Sequence, residues 1–267
     1  MYKSDTVTIN YFKAYRANCF GNKLDKKSWL ARYEWINQNE ENIRNYTNSI
    51  LIQKAENKLL FTAFCIKYNK WLQAYNNTEI SYFETHLPIQ LDATYNSYQH
   101  LSLLISDEEL AKELNLTKSD WNNEPKDYYD FIGIKLIDLF KLKLKNNKLS
   151  SEDKACYKKL INILITRQLL KKLLITIPYN VSIPRMIDYL KVHFTKLDNE
   201  DNKKCSIYTS KYQFKIDPDL ILNSKDLALI ATGLKEVLKI NFPKLKLLIK
   251  YLKSIVKLYN KLKIPIP

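Results

Sequence analysis

Leu160, Ile161, Leu164, Ile165, Leu169 and Leu173 recur at helical intervals, so the stretch 151–177 presents a continuous apolar stripe that must find a partner. That periodicity commits this 267-residue chain to a packed, helix-rich fold. Similar patterns predict helices near 24–37, 58–76, 97–104, 126–147, 183–197, 224–240 and 243–262. Strands are predicted at 86–92 and as a hairpin across 205–216. The fold class is therefore α+β, mainly α-helical, with a few short strands. On the helix 151–177, Arg167 and Lys171 stand four residues apart and rise from a common face. Arg offers phosphate oxygens a planar fork and Lys a mobile point charge, so the pair could straddle a polyphosphate. The same two cations, with Lys172, would serve equally as the solvated face of an amphipathic helix.

Asp92 follows the run His86-Leu87-Pro88-Ile89-Gln90-Leu91, in which Leu87, Ile89 and Leu91 share one face of a half-buried strand. A carboxylate just past a strand is held rigidly and suits Mg²⁺, which takes one or two protein carboxylates and fills its shell with water and phosphate oxygens. A strand-end Asp also caps turns and helices, so Asp92 alone leaves both readings open.

Taken together, LPIQLDATYNSYQHLSLL (87–104) and RQLLKKLLITIPYNVS (167–182) resemble the metal-binding segment and the nucleotide-binding helix of the single-subunit, bacteriophage-type DNA-directed RNA polymerases. The branch encoded by mitochondrial plasmids is the most similar. ANCFG (17–21), WINQNEENI (35–43) and FTAFCIKY (61–68) precede the first motif in the family's order, and LAKELNLTKSDWNNEPKDYYDFI (110–132) lies between the two. The resemblance spans about residues 10 to 190 and weakens beyond 200.

This resemblance implies part of the palm and fingers of a right-hand polymerase. The polar stretch 118–126 would separate a palm-like part, 1–117, from a fingers-like helical part, 118–267. Asp92 would be one of two catalytic Mg²⁺ ligands, with the backbone carbonyl of Ala93 adding an oxygen. Arg167 and Lys171 would hold the triphosphate of the incoming ribonucleotide, and Tyr179 would sit by the nascent base pair. The implied chemistry is attack of an RNA 3′ hydroxyl on the α-phosphorus with release of pyrophosphate, on a DNA template.

Departures from the family pattern shape the expectation for this chain. The family's second metal carboxylate follows a His, and no His-Asp pair occurs among these residues; only 88 residues follow Tyr179. That motif is expected beyond the present C-terminus, the promoter-binding region is expected to be absent as well, and the isolated chain is expected not to extend RNA. Ser97 and Tyr95 stand where the family usually has Gly and Cys; if the Gly served a positive φ, Ser97 would carry strain. The alternatives are a non-catalytic nucleic-acid-binding remnant and a decaying reading frame.

Charge fits a polyanionic partner without identifying it: 43 Lys plus Arg oppose 28 Asp plus Glu, a formal net charge of +15. Residues 141–172 hold ten Lys or Arg against two acids, and 235–263 hold nine Lys against one. In the second block Leu245, Leu248, Ile249, Leu252, Val256 and Tyr259 form a helical stripe, open to packing, to nucleic acid or to a membrane surface. No run is apolar and long enough to span a membrane, and no secretory or transit pattern opens the chain, so a mitochondrial protein would be encoded there. Cys19, Cys65, Cys156 and Cys205 lack metal-ligand spacing and read as reduced thiols. His86, His100 and His193 are scattered, and His100 reads as a structural helix residue.

Overall fold

A computed structural model describes residues 6–76, 95–117, 120–147, 149–197 and 211–263. The expected strand 86–92, Asp92, Ala93, His86, Cys205 and the first arm of the expected hairpin lie outside the described residues. Among the described residues the protein is mainly helical, with one small antiparallel sheet.

It divides into two compact units. The first, 6–76 with 120–126, contains α1 (Thr6–Ala17), α2 (Trp29–Gln38), α3 (Glu40–Arg44), α4 (Leu51–Lys54) and α5 (Lys58–Asn76). Of these the sequence patterns anticipate α5 and most of α2; α1 is not among the expected helices, and α3 and α4, five and four residues long, are too short to show a helical repeat. Ser28 caps α2 by accepting the Ala31 N–H. The core of this unit is aromatic: Phe61, Phe64 and Tyr68 recur along the buried face of α5 and meet Phe20, Ile36 and Ile43. The segment 120–126 joins it because Trp121 stacks on Trp29 at 5.8 Å and its carbonyl accepts the Leu30 N–H at 3.1 Å.

The second unit, 95–117 with 127–263, is built around α8 (Tyr128–Leu144). Its buried residues Tyr128, Ile132, Leu136, Leu139 and Phe140 are the centre of the larger core. Against it pack α9 (Ser151–Ile161), α10 (Arg167–Thr176) and α12 (Ser224–Asn241). Gly233 permits the close crossing of α12 on α8, since a Cβ there would stand 2.8 Å from Leu136 and 2.9 Å from Phe140. The unit also holds α6 (Asn96–Leu104), α7 (Glu108–Glu113), α11 (Ile183–Lys191) and α13 (Pro243–Leu262). Compactness therefore does not follow chain order at 118: α6 and α7 belong with the second unit and Trp121 with the first.

Two expected helices are corrected. The stretch 151–177 is not one helix but two, because Ile161-Asn162-Ile163-Leu164-Ile165-Thr166 is rich in β-branched residues and ends in a better cap than helix former. Thr166 is extended and accepts the Leu169 N–H, so α10 starts at Arg167. The helix expected over 183–197 stops at Lys191, and β1 (Phe194–Leu197) follows. β1 pairs antiparallel with β2 (Lys211–Phe214), which pairs with β3 (Ile221–Asn223), in the order β1-β2-β3. Phe194 lies opposite Phe214 with stacked rings 4.9 Å apart, a contact between residues distant in sequence that outweighs helical continuation.

Candidate functional site

The leucines of α10 dictate where its cations go. Leu169, Leu170, Leu173 and Leu174 are buried, which leaves Arg167 and Lys171 along the border of the buried face and Lys171 exposed. The expected common face of Arg167 and Lys171 is thus present, although the helix carrying it is shorter than its pattern. Lys172 turns away, its ammonium 4.5 Å from the Tyr189 ring.

Arg167 is anchored. Its Nη1 donates to Asp127 Oδ2 at 2.6 Å, and its guanidinium carbon lies 5.0 Å from the Tyr129 ring centroid. Asp127 is the N-cap of α8, accepting the Tyr129 backbone N–H at 2.9 Å, and its Oδ1 also accepts the Tyr95 hydroxyl at 2.9 Å. One carboxylate therefore ties together the beginnings of α6, α8 and α10. Partial burial works against its charge, but the hydrogen bonds from Tyr95, Arg167 and the Tyr129 N–H outweigh that cost and hold Asp127 below the ordinary carboxylate range. Burial works against the Arg167 cation too, and the Asp127 hydrogen bond and charge more than offset it, raising its pKa. Burial first, and then the hydrogen bond to Asp127, raise the Tyr95 phenol, so it remains a donor.

Tyr95, three residues past Asp92, caps α6 with φ 69°, a left-handed conformation that is uncommon for a bulky residue. Holding it there costs about 1–3 kcal/mol, supplied by burial, the bond to Asp127 and ring contacts with Tyr128 and Tyr129 at 5.4 and 4.6 Å. The strain expected at Ser97 is absent; Ser97 lies inside α6 and the positive φ falls two residues earlier. Tyr98 fastens the same helix to α10 by donating its hydroxyl to the Leu174 carbonyl at 3.0 Å. Between the start of α6 and the second half of α10 lies a cavity of about 200 Å³ bordered by Tyr95, Ser97, Tyr129, Leu174, Ile175 and Tyr179. Tyr179 stands 74% exposed on the turn after α10, where Asn180 has φ 60°.

The fold thus brings Tyr95, three residues past Asp92, to the Asp127 carboxylate that also holds Arg167 at the start of α10, and to the cavity that Tyr179 borders past the end of α10; Asp92 and Ala93 themselves fall outside the described residues. Asp127, Tyr129 and Tyr95 are the parts that sequence reasoning missed. The signal for Asp127 was an N-cap before an apolar-periodic run, obscured by placing the helix start at 126. His100 lies exposed on α6 and does not fill the expected structural place. Cys19, Cys65 and Cys156 are free and buried, and burial pushes the Cys65 thiol up to about 12. Among the described residues no three His, Cys, Asp or Glu side chains form a metal cluster, and no helix is long and apolar enough to cross a membrane.

Comparison with known proteins gives the family. A family described as DNA-dependent RNA polymerase matches residues 3–239, well past the point near 200 where the motif likeness weakens. A probable DNA-directed RNA polymerase of Podospora anserina is 43% identical over 267 residues, covering 100% of this chain and 27% of that protein. One of Neurospora crassa is 32% identical over 265 residues, covering 99% and 28%. The mitochondrial DNA-directed RNA polymerase of Schizosaccharomyces pombe is 24% identical over 213 residues, covering 78% and 17%. The chain spans little more than a quarter of the first two relatives. With the family matched over most of its length and its two motifs joined through Asp127, the chain belongs to the single-subunit DNA-dependent RNA polymerases.

Proposed function

We propose that this chain supplies one metal carboxylate and the nucleotide-binding helix of a mitochondrial, plasmid-encoded RNA polymerase that transfers ribonucleotides from NTPs onto RNA along a DNA template. Arg167 and Lys171 grip the triphosphate, and Tyr179 borders the nascent base pair. Asp92 and the Ala93 carbonyl would hold Mg²⁺, a hard cation suited to one carboxylate, a carbonyl oxygen and substrate phosphates. When bound, the metal would offset charge on the reacting phosphate. Residues 1–117 are assigned as palm-like and 118–267 as fingers-like. Location in mitochondria is supported by relatives named as mitochondrial RNA polymerases.

The observation carrying this reading is the shared carboxylate of Asp127, which connects the segment just after Asp92 to Arg167. It spends a single guanidinium N–H of five, so Arg167 is oriented while keeping donors for phosphate. These 267 residues contain no His-Asp pair, and the chain by itself is proposed to bind substrate without extending RNA. Titration of MgATP into the 267-residue chain tests the site: Arg167→Ala or Lys171→Ala should weaken binding about tenfold or more, as loss of a charge-assisted contact to phosphate implies. Equal affinity in both variants sinks the nucleotide grip. Incorporation of labelled ribonucleotides by the purified chain would overturn the proposed inactivity.

A further inference from the structure

α13 has two apolar sides, and only one of them is covered. Leu245, Leu248, Ile249, Ile255 and Tyr259 are buried or half-buried. At about 100° per residue they share the face that carries the first turns of the helix onto the core. Leu247, Tyr251, Leu258 and Leu262, spaced four, seven and four apart, form a second stripe, and each is more than half exposed. This stripe occupies an arc of about 60° and runs for about 22 Å along the helix. A continuous apolar stripe left in water over that length marks an interaction surface.

Charge decides what can cover it. α13 carries six lysines and no acid, and Lys246, Lys250, Lys253, Lys257 and Lys261 follow one another at spacings of four, three, four and four. They fall within an arc of about 80°, next to the exposed stripe and separated from it by Ser254. A partner must therefore present apolar surface and negative charge side by side along a straight front. Nucleic acid would engage the lysines and leave the leucines in water. A second copy would bring another formal charge of +15 to a face that holds no acid, so self-pairing works against charge. An anionic bilayer offers both features, acidic headgroups with hydrocarbon just beneath them. Lysine stems can reach back to the headgroups while the leucines dip below, and the ring and hydroxyl of Tyr251 suit that same boundary.

We propose that α13 docks this chain on the surface of an anionic phospholipid bilayer, with Leu247, Tyr251, Leu258 and Leu262 inserted at the interface and the lysine row on the headgroups. The helix lies on the bilayer and does not cross it, since no helix among the described residues is long and apolar enough to span one. The docking surface uses none of the side chains assigned to the nucleotide or the metal.

Co-sedimentation of the full chain with vesicles tests it, comparing pure phosphatidylcholine with phosphatidylcholine carrying about 30% phosphatidylserine. The chain should bind the anionic vesicles and not the neutral ones. Lys250→Gln with Lys257→Gln should weaken that binding about 25-fold, about fivefold for each lysine brought to the headgroups, and the loss should shrink as salt rises. Leu247→Gln with Leu258→Gln should weaken it at least about tenfold, because two inserted apolar side chains are lost. All four residues are exposed, so the fold should survive, and an unchanged urea midpoint would verify it. Full binding by the leucine variant overturns the proposal, because charge alone would then hold the vesicles as it would any polyanion. Equal binding to neutral vesicles overturns it too, as does a failure to bind anionic vesicles in a chain that forms a dimer through the same leucines.

Discussion

α10 and α13 are written in the same alphabet, leucines and isoleucines at helical spacing with lysines between them, yet they lead different lives. In α10 four leucines are buried, and the cations line the edge of a packed face. In α13 Leu245 is buried, Leu248, Ile249 and Tyr259 are half-buried, and Leu252 and Val256 are 44% and 41% exposed. The difference comes from what each helix is offered. α10 follows a sharp restart at Thr166 that lays it against α8, whereas α13 leaves α12 at Phe242-Pro243 and only its first turns reach the core. An amphipathic pattern states that a helix has an apolar face; it does not state how much of that face is covered.

That contrast can be broken most directly by truncating one leucine in each helix. Leu173→Ala, at a fully buried position of α10, should destabilise the second unit by about 3 kcal/mol in urea unfolding, the transfer cost plus that of the cavity left behind. Leu252→Ala, at an exposed position of α13, should stay within about 0.5 kcal/mol. Comparable losses in the two would mean that α13 is packed after all.

Asp127 sharpens the reason that α10 holds its place. Asp127→Asn should cost about 2 kcal/mol, because it weakens a hydrogen bond to a charged group and leaves Arg167 without a counter-ion. The folded state holds this carboxyl below its unfolded value of about 3.9, so its contribution is present above that pH and lost as pH falls through the folded value. The variant's stability should therefore depend less steeply on pH below about 4; an identical acid limb in both proteins would separate Asp127 from the network. Tyr95→Phe removes one hydrogen bond and keeps the ring contacts, and should cost about 1 kcal/mol. Lys171→Ala should be smallest, under about 0.5 kcal/mol in stability, while still weakening MgATP binding.

Particular residues show how far the sequence could be read. The pattern of α5 predicts its limits of 58–76, since no Pro, Gly or cap competes within it. The Arg167–Lys171 pair was legible because a helical repeat of four is local geometry. Asp127 was not, because an N-cap and a salt-bridge partner look alike in sequence, and only the folded chain brings a residue forty positions away within 2.6 Å. β1 was unreadable for the same reason: Phe194–Leu197 can extend a helix or pair with Lys211–Phe214, and the partner strand decides.

By itself the sequence determined the helical class, the uneven positive charge and the membership signalled by its two motifs, because periodicity, charge and residue order are properties of the chain. Tertiary structure alone decided that one carboxylate would join three helix starts, that Tyr95 would carry the strained φ in place of Ser97, and that α13 would stand largely uncovered. Those outcomes depend on which distant surfaces compete for the same side chain, and local sequence does not contain that competition.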